Sequence, residues 1–570
     1  MRPARCSCSS VWWRRAIPAD AGSDSVERAV SRRLSIQGKT IEARIGESLF
    51  RLGLNAGVFI PSSCGGQGKC RECLVEIEAG AGDLSSRVSQ EKPLQEGFRL
   101  ACRARIVGSA EPSIACHTLA RGRLRIVEAT EGLEADAPPL DPAVVRSGVV
   151  AKRRGEVLGD APSRLLGLAV DLGTTTIALR LCDLETGEVV ALNTLENPQR
   201  FAGSDVMARI AFDGRHRGRL LQRTLLAYLG RAIDALPCEC DEIFEVVIVG
   251  NTTMRDLFFG LDVQSIGQDP YRSLTEQEWL AGKRATTGLE RSARRLGLPV
   301  HPRASVIGLP LVASHLGADA AAALLATGVG LGTGIGVLMD IGTNTELVMG
   351  NQERIIAASC PAGPAFEGGG LGCGMPGVDG AIERVRCTPK GTFEFGVIGD
   401  VSPLGICGSG LVELLAELVR TGRMNRLGRF QDEADEDGVV LDEVAGIMFS
   451  ESDVNELAQA KGANAAGVRV LLDTYGIDAG TIERFYLAGG FARHLDPDAA
   501  RRIGLVPDLP DTKLIRVGNA ALEGAQRALL SVTAREELEQ RVRRVEHVRL
   551  ETHPLFFDAF VEGCQFHPFR

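Results

Sequence analysis

The sequence predicts a multidomain protein of mixed α/β and α+β class: a small N-terminal domain built around a cysteine loop, then a large α/β domain made of two related halves. Two observations carry this reading. LGLAVDLGTTTIALRL (166–181) and GVLMDIGTNTELVMG (336–350) are copies of one device, an apolar run ending in aspartate, a Gly-Thr turn and a second apolar run. A repeat of this kind implies two half-domains whose turns face each other across a cleft. Ahead of them, Cys64, Cys70 and Cys73 share one loop, and Cys102 follows after 28 residues.

Composition narrows the class. A chain of 570 residues is too long for one core. A hydrophobic content of 44% is ordinary for a globular protein, and 67 glycines supply the tight turns and close backbone approaches that phosphate loops need. A net charge of -9 with no basic stripe argues against nucleic acid as a partner. There is no convincing signal peptide, so the 15 cysteines read as cytoplasmic thiols and metal ligands rather than disulfides. Residues 320–339 carry no charge, but alternating glycines from Gly328 to Gly336 break that stretch. It reads as a buried helix, a glycine loop and a core strand, with no membrane span.

Along the chain, residues 1–33 are arginine-rich and aperiodic, with Cys6, Cys8, Trp12 and Trp13, and read as a disordered extension. Residues 34–110 form the small domain. LSIQGKTIEARIG reads as a hairpin turning at Gln37-Gly38-Lys39, residues 47–56 as a short helix, and LVEIEAG as a strand after the cysteine loop. Residues 111–163 read as a linker region, with a strand at 123–127 and a tether in EGLEADAPPLDP (131–142). This region is short, so a separate middle domain is expected to be reduced or absent. From 164 to 570 strands precede polar turns and helices, with the two halves split near 330. FEVVIVG (244–250) and FYLAGG (485–490) read as strands. GSGLVELLAELVRTGR (408–423) reads as an amphipathic helix with Leu411, Leu414, Leu415 and Leu418 inward.

The cysteine spacing, C-x5-C-x2-C and then a distant fourth, suits a 2Fe–2S cluster held by Cys64, Cys70, Cys73 and Cys102. Gly65, Gly66 and Gly68 let the loop wrap it. A structural zinc is the alternative, but zinc knuckles come in close pairs and Cys102 has no near partner. Cys116 is a fifth candidate across a strand-and-turn gap. The spacing resembles the 2Fe–2S ferredoxins of β-grasp fold, with one extra residue in the first gap.

In the repeats, the Gly173, Thr174, Thr175 and Thr176 turn offers N–H and hydroxyl donors to phosphate, and Asp171 is placed to hold Mg²⁺ through water. The second turn offers Gly342, Thr343, Asn344 and Thr345, with Asp340 or Glu346 to orient an attacking water. This pair of turns resembles the acetate and sugar kinase, Hsc70 and actin superfamily of RNase H-like, two-lobed ATPases, which implies ATP as ligand. VIVGNTTM (247–254) resembles its first connecting segment, bringing in Gly250, Asn251 and Thr252. YLAGGFARHL (486–495) resembles its adenosine motif, with Gly489, Gly490 and Phe491, and VGNAALEGA (517–525) its second connecting helix. The glycine turn with Gly408 and Ser409 opens a helix, where phosphate binding and simple packing both stay open.

The match extends further. NPQRFAGSDVMARI (197–210), CPAGPAFEGGG (360–370), PLGICGSGL (403–411) and ETHPLFFDAFVEG (551–563) resemble the ATP-dependent reductive activators of corrinoid proteins, which join a ferredoxin domain to such an ATPase. That resemblance implies rescue of a corrinoid methyl-transfer protein by reducing cob(II)alamin to cob(I)alamin. An upstream low-potential reductant and a homodimer are implied with it. Rival readings are an electron donor to a dehydratase-type enzyme, a small-molecule kinase, and an actin-like or chaperone-like ATPase with a sensory cluster. Cys360, Cys373 and Cys407 read as buried structural thiols, and His315 and His494 as packing or surface residues. The loop bearing Glu367 reads as facing nucleotide or partner, with partner or gating favoured.

Overall fold

A computed structural model describes residues 32–107, 114–119, 133, 138–216, 218–313, 315–388, 391–431, 438–490 and 492–569. Apart from Arg32 and Arg33, which open the first strand, the expected N-terminal extension lies outside these residues, as does the strand expected at 123–127.

The small domain is a five-stranded sheet of β1 (Arg32–Ile36), β2 (Lys39–Ala43), β3 (Leu74–Ala79), β4 (Phe98–Leu100) and β5 (Ile114–Thr118), in the order β2-β1-β5-β3-β4. β1 pairs antiparallel with β2 and parallel with β5, the β-grasp arrangement. Gln37 and Gly38 both have positive φ, so the hairpin turns on two residues, as a twisted type I′ turn requires. The helix expected at 47–56 runs Leu49–Asn55, capped by the Ser48 hydroxyl on the Arg51 N–H.

Two boundaries differ from the sequence reading. β5 pairs with β1 and β3, so the small domain continues past residue 110. The presumed linker also holds a three-stranded antiparallel sheet of β6 (Val144–Ser147), β7 (Val150–Arg153) and β8 (Glu156–Asp160). Of the tether expected at 131–142, residues 131, 132 and 134–137 lie outside the described residues. Its end is fixed: Asp141 exchanges backbone hydrogen bonds with Leu530 and Val532, and its carboxylate accepts from Thr533.

The large domain has two lobes. The first sheet contains β9 (Leu166–Leu172), β10 (Thr176–Asp183), β11 (Val189–Glu196), β12 (Ile243–Gly250), β13 (Leu289–Ser292) and β14 (Ser305–Gly308), ordered β11-β10-β9-β12-β14-β13. The second lobe begins with β15 (Ile335–Ile341), β16 (Thr345–Gly350) and β17 (Ile355–Cys360). An inserted small sheet of β18 (Ala381–Cys387), β19 (Phe393–Val397) and β20 (Gly405–Ile406) follows. The hairpin of β21 (Val439–Asp442) and β22 (Ile447–Phe449) comes next. β23 (Ile482–Ala488), β24 (Leu514–Gly518) and β25 (Val545–His547) complete the second main sheet, ordered β24-β23-β15-β16-β17-β25. In both sheets an antiparallel meander leads into two parallel strands on the side of its first strand. The repeated sequence device therefore belongs to a repeated topology, each copy supplying the first two strands of its lobe.

Helices Ala318–Thr327 and Ala520–Leu530 pack together in a core shared by the lobes. They approach so closely that a Cβ on Gly524 would collide with the Ala322 carbonyl. The uncharged stretch expected as helix, loop and strand is the helix Ala318–Thr327 followed by β15. Among the described residues no helix is long and apolar enough to cross a membrane. Helix Gly408–Thr421 buries Leu411, Leu414, Leu415 and Leu418.

One apolar core runs from the small domain into the first lobe. Phe59 packs edge-on to Tyr228 at 5.8 Å, the Tyr228 hydroxyl accepts from the Leu119 N–H, and Arg200 pairs with Glu76 at 2.6 Å.

Candidate functional site

The four predicted cluster cysteines come together in two couples. The Cys64 and Cys70 sulfurs interact with each other, and each lies 3.8 Å from the Ser62 hydroxyl. Cys73 and Cys102 share a hydrogen bond. Two couples suit two irons, whereas a zinc would draw all four sulfurs to one point. Among the described residues no group of three or more Cys, His, Asp or Glu side chains is arranged to hold a single ion. Gly65, Gly66, Gly68 and Arg71 all have positive φ, which coils the loop, and a Cβ on Gly66 would strike the Phe50 ring at 2.8 Å. Burial works to raise Cys64, but backbone and side-chain hydrogen bonds from Cys70, with Lys69 and Ser62, hold it down to about 6. Cys116 lies in β5, and burial pushes it up to about 12. It is no part of either couple.

The loop is held from behind. The buried Glu72 carboxylate accepts from the Ser63 N–H at 2.6 Å and the Ser63 hydroxyl at 3.0 Å. Arg223, from helix Leu220–Asp234 of the first lobe, pairs with Glu72 and donates to the Cys70 carbonyl at 2.9 Å.

The two repeat turns meet at one cleft. It is lined by Asp171, Gly173, Thr174, Thr175 and Thr176 from the first copy and by Asp340, Gly342, Thr343, Asn344 and Glu346 from the second, with Asn251, Gly489 and Gly490. Of the other predicted residues, Gly250, Thr252, Thr345, Gly408 and Ser409 do not line it. Gly250 (φ +148) lets β12 approach Leu172, where a Cβ would sit 2.7 Å from the carbonyl oxygen, and Thr345 is buried in β16. The Ser409 hydroxyl lies 3.5 Å from the Cys407 sulfur. Phe491 lies outside the described residues.

Asp171 sits at the C-terminal end of β9, and Asp340 stands directly across from Glu346 on paired strands, so those two carboxylates share one face. The first turn is braced from several sides. Asn197 donates to the Gly173 carbonyl at 2.8 Å, the fully buried Arg209 to the Thr174 carbonyl at 2.7 Å, and Asn251 to the Thr174 hydroxyl at 2.9 Å. Asn519 donates to Asp171 at 2.9 Å. Gly489 (φ +117) admits the second turn, since a Cβ there would collide with the Ile341 carbonyl.

The sequence reading missed Asp319, at the start of helix Ala318–Thr327, and Asn519; both line the cleft. Asn519 stands in the segment that resembles the second connecting helix, and a polar residue capping a helix beside a phosphate turn was its signal. Asp319 looks like an ordinary helix start in GADAAA.

Five carboxylates thus face one cleft, and no Lys, Arg or His is among its described lining residues. Burial pushes Asp171 up to about 6 against the Asn519 bond, and Asp319 up to about 7 with Asp171 adding to it. Asp340 rises to about 8 through burial and the neighbouring Asp319, Asp171 and Glu367. Burial, then Asp319, drives Glu346 well above the usual carboxylate range, and its Oε2 has no hydrogen-bond partner among the described residues. Such a cleft needs a cation. Mg²⁺ fits, because it keeps several waters and takes one or two carboxylates together with phosphate oxygens. Asp171 and Asp340, from the two repeats, lie close enough for one to raise the other.

Cys360, Cys373 and Cys407 are buried, as expected; burial raises all three, Cys373 to about 12. His315 packs near the Tyr271 ring, and His494 lies 3.8 Å from Glu383.

Comparison with known proteins bears directly on this arrangement. The model of the 2Fe-2S iron-sulfur cluster binding domain matches residues 34–107, that of the RACo middle region 166–331, and that of the C-terminal ASKHA domain of RACo 334–569. The chain belongs to the RACo family. A corrinoid activation enzyme, RamQ, of Eubacterium limosum is 27% identical over 88% of this chain and 93% of its own length. The [Co(II) methylated amine-specific corrinoid protein] reductase of Methanosarcina barkeri is 24% identical over 70% of this chain and 76% of its own. A solved reductive activator for a corrinoid, iron-sulfur protein superposes with a TM-score of 0.69 at 29% identity, covering 94% of this chain and 98% of its own. The RACo middle region, 166–331, coincides with the first lobe and not with the short region that precedes it. With these domains the chain carries a 2Fe-2S cluster and uses ATP with Mg²⁺.

Proposed function

We infer that this protein is an ATP-dependent reductive activator: it returns an inactive cob(II)alamin, held by a corrinoid methyl-transfer protein, to cob(I)alamin by adding one electron. The observation that carries the reading is that cluster loop and phosphate cleft are braced by the same lobe. Asn197 holds the first phosphate turn, and Gln199, two residues on, donates to the Leu221 carbonyl at 3.2 Å. Two residues along that helix Arg223 grips the Cys70 carbonyl. A small-molecule kinase has no use for such a coupling, and the similarity to a corrinoid activation enzyme and a corrinoid protein reductase favours electron transfer over a sensory ATPase.

When bound, the cluster supplies single electrons at low potential, and Mg-ATP supplies the free energy for a step that is uphill for ordinary donors. In a one-electron couple each 59 mV is about tenfold in the equilibrium, so a coupling of about 3 kcal/mol moves it by about two decades. Asp171 and Asp340 would hold the cation, the Thr174, Thr175, Thr176 and Thr343 turns the phosphates, and Asp340 or Glu346 the attacking water. Cys64 with Cys70, and Cys73 with Cys102, would hold the two irons.

The reading extends to a homodimer that works in the cytoplasm and takes electrons from an upstream low-potential reductant. Support comes from the ferredoxin–ATPase fusion and the corrinoid activators among its relatives. Asp171→Ala, with the cluster absorbance intact, should lose ATP-stimulated cob(II)alamin reduction. Undiminished rates would remove the cleft from the mechanism. ATP-driven transfer to a dehydratase-type enzyme instead of a corrinoid protein would favour that rival.

A further inference from the structure

Glu367 ends the short turn Ala365–Glu367 on the loop between β17 and β18. Its Oε2 accepts from the Thr175 hydroxyl at 3.2 Å and from the Thr343 hydroxyl at 2.6 Å. Thr175 belongs to the first repeat turn and Thr343 to the second, one residue apart in the alignment of the two copies, so one hydroxyl comes from each lobe. A single carboxylate oxygen is therefore gripped by both halves of the phosphate cradle.

A carboxylate oxygen and a phosphate oxygen ask the same of a site: hydroxyl and N–H donors aimed at an anion. Burial raises Glu367 above the usual carboxylate range against these two hydroxyl bonds, no described basic side chain of the lining offsets its charge, and Asp340 is close enough to be raised by it. Gly370 (φ +79) reaches the surface, while Gly368 (φ +80) is buried, where a Cβ would meet the Met375 backbone at 2.6 Å. The chain is re-anchored just beyond, where the Gly372 N–H donates to Asp453 at 2.7 Å and the Cys373 carbonyl accepts from Ile406 at 2.9 Å. Phe366 and Gly368 are buried on either side of it, so the displacement belongs to the Glu367 side chain and, beyond Gly368, to Gly369 and Gly370.

We propose that Glu367 is an internal occupant of the phosphate cradle, clasping the two lobes through Thr175 and Thr343, and that the phosphate chain of ATP displaces it. This rests on the reading of the cleft as an ATP site. The occupant competes with phosphates and not with adenosine, so it sets selectivity for the phosphate end. Its release moves segment 367–371, giving nucleotide occupancy a route to the surface.

The test uses the full-length, cluster-loaded protein and calorimetric titration with a Mg-bound non-hydrolysable ATP analogue and with AMP. Glu367→Ala should bind the ATP analogue about tenfold more tightly than the unaltered protein, with AMP affinity unchanged. Glu367→Gln, which keeps the shape and loses the charge, should gain in the same direction and serves if the alanine variant folds poorly. In the unaltered protein the analogue should raise amide exchange across 367–371, and in Glu367→Ala that exchange should be high before nucleotide is added. Equal or weaker ATP-analogue affinity in both variants overturns the proposal while leaving the ATP site standing. Failure of all three proteins to bind the analogue overturns the ATP reading and this proposal with it.

Discussion

Loading the resting cleft with Mg-ATP should expel protons, and the number follows from the carboxylates that line it. Burial and the neighbouring carboxylates push Asp340 up to about 8, Asp319 to about 7 and Asp171 to about 6. At pH 7 these three together hold roughly one to two protons. A divalent cation held by Asp171 and Asp340 favours their charged forms, so its arrival should release most of that. The sign for stability follows from the same shifts. These folded-state values lie above those of the unfolded chain, so the groups stabilise the cation-free fold most below about pH 4. That contribution is lost as pH rises through 6 to 8, by about 2 kcal/mol per pH unit near pH 7. Titration of Mg-ATP at pH 7 in buffers of different ionisation enthalpy reads the released protons as a slope. Asp340→Asn should cut the release to about half a proton. A slope of zero, or proton uptake, would refute the reasoning that these carboxylates are held neutral until the cation comes.

Other perturbations bear on the cluster and the packing. Cys102→Ser should abolish the 2Fe–2S absorbance, whereas Cys116→Ser should keep it; loss of the cluster in both would make Cys116 a ligand. Arg223→Ala removes the half-exposed partner of the Glu72 carboxylate, which keeps its Ser63 bonds, at a cost of about 1 kcal/mol, and should make the ferredoxin domain more open to limited proteolysis; an unchanged cleavage pattern would count against the docking. Gly524→Ala should lower stability by about 1–3 kcal/mol or more by forcing the two central helices apart, visible in thermal unfolding, and a neutral result would contradict their close approach.

The parts legible in the sequence are those whose chemistry is local. The two Asp-x-Gly-Thr devices stand at the head of duplicated sheets, and the cysteine spacing brings its four thiols into two couples. Residues that reach the cleft through topology were not legible. Asp319 arrives on a helix shared by the lobes, and Arg209 braces a turn 35 residues away in sequence. Glu367 was read as facing nucleotide or partner, but its bond to both repeats needs the lobes closed together. β6 to β8 were read as linker because they are short and carry little burial, as in the exposed Val145 and Val157. β5 was left outside the small domain because its partners, β1 and β3, precede it by tens of residues.

The central claim is that ATP at this cleft drives an electron onto a corrinoid. Anaerobic, reduced protein mixed with a corrinoid methyl carrier in the cob(II)alamin state, with and without Mg-ATP, tests it through the cob(I)alamin absorbance. The account predicts that the cob(I) band grows with Mg-ATP and stays small without it. A cluster that stays reduced, with cobalt remaining Co(II) across several carriers, would contradict it.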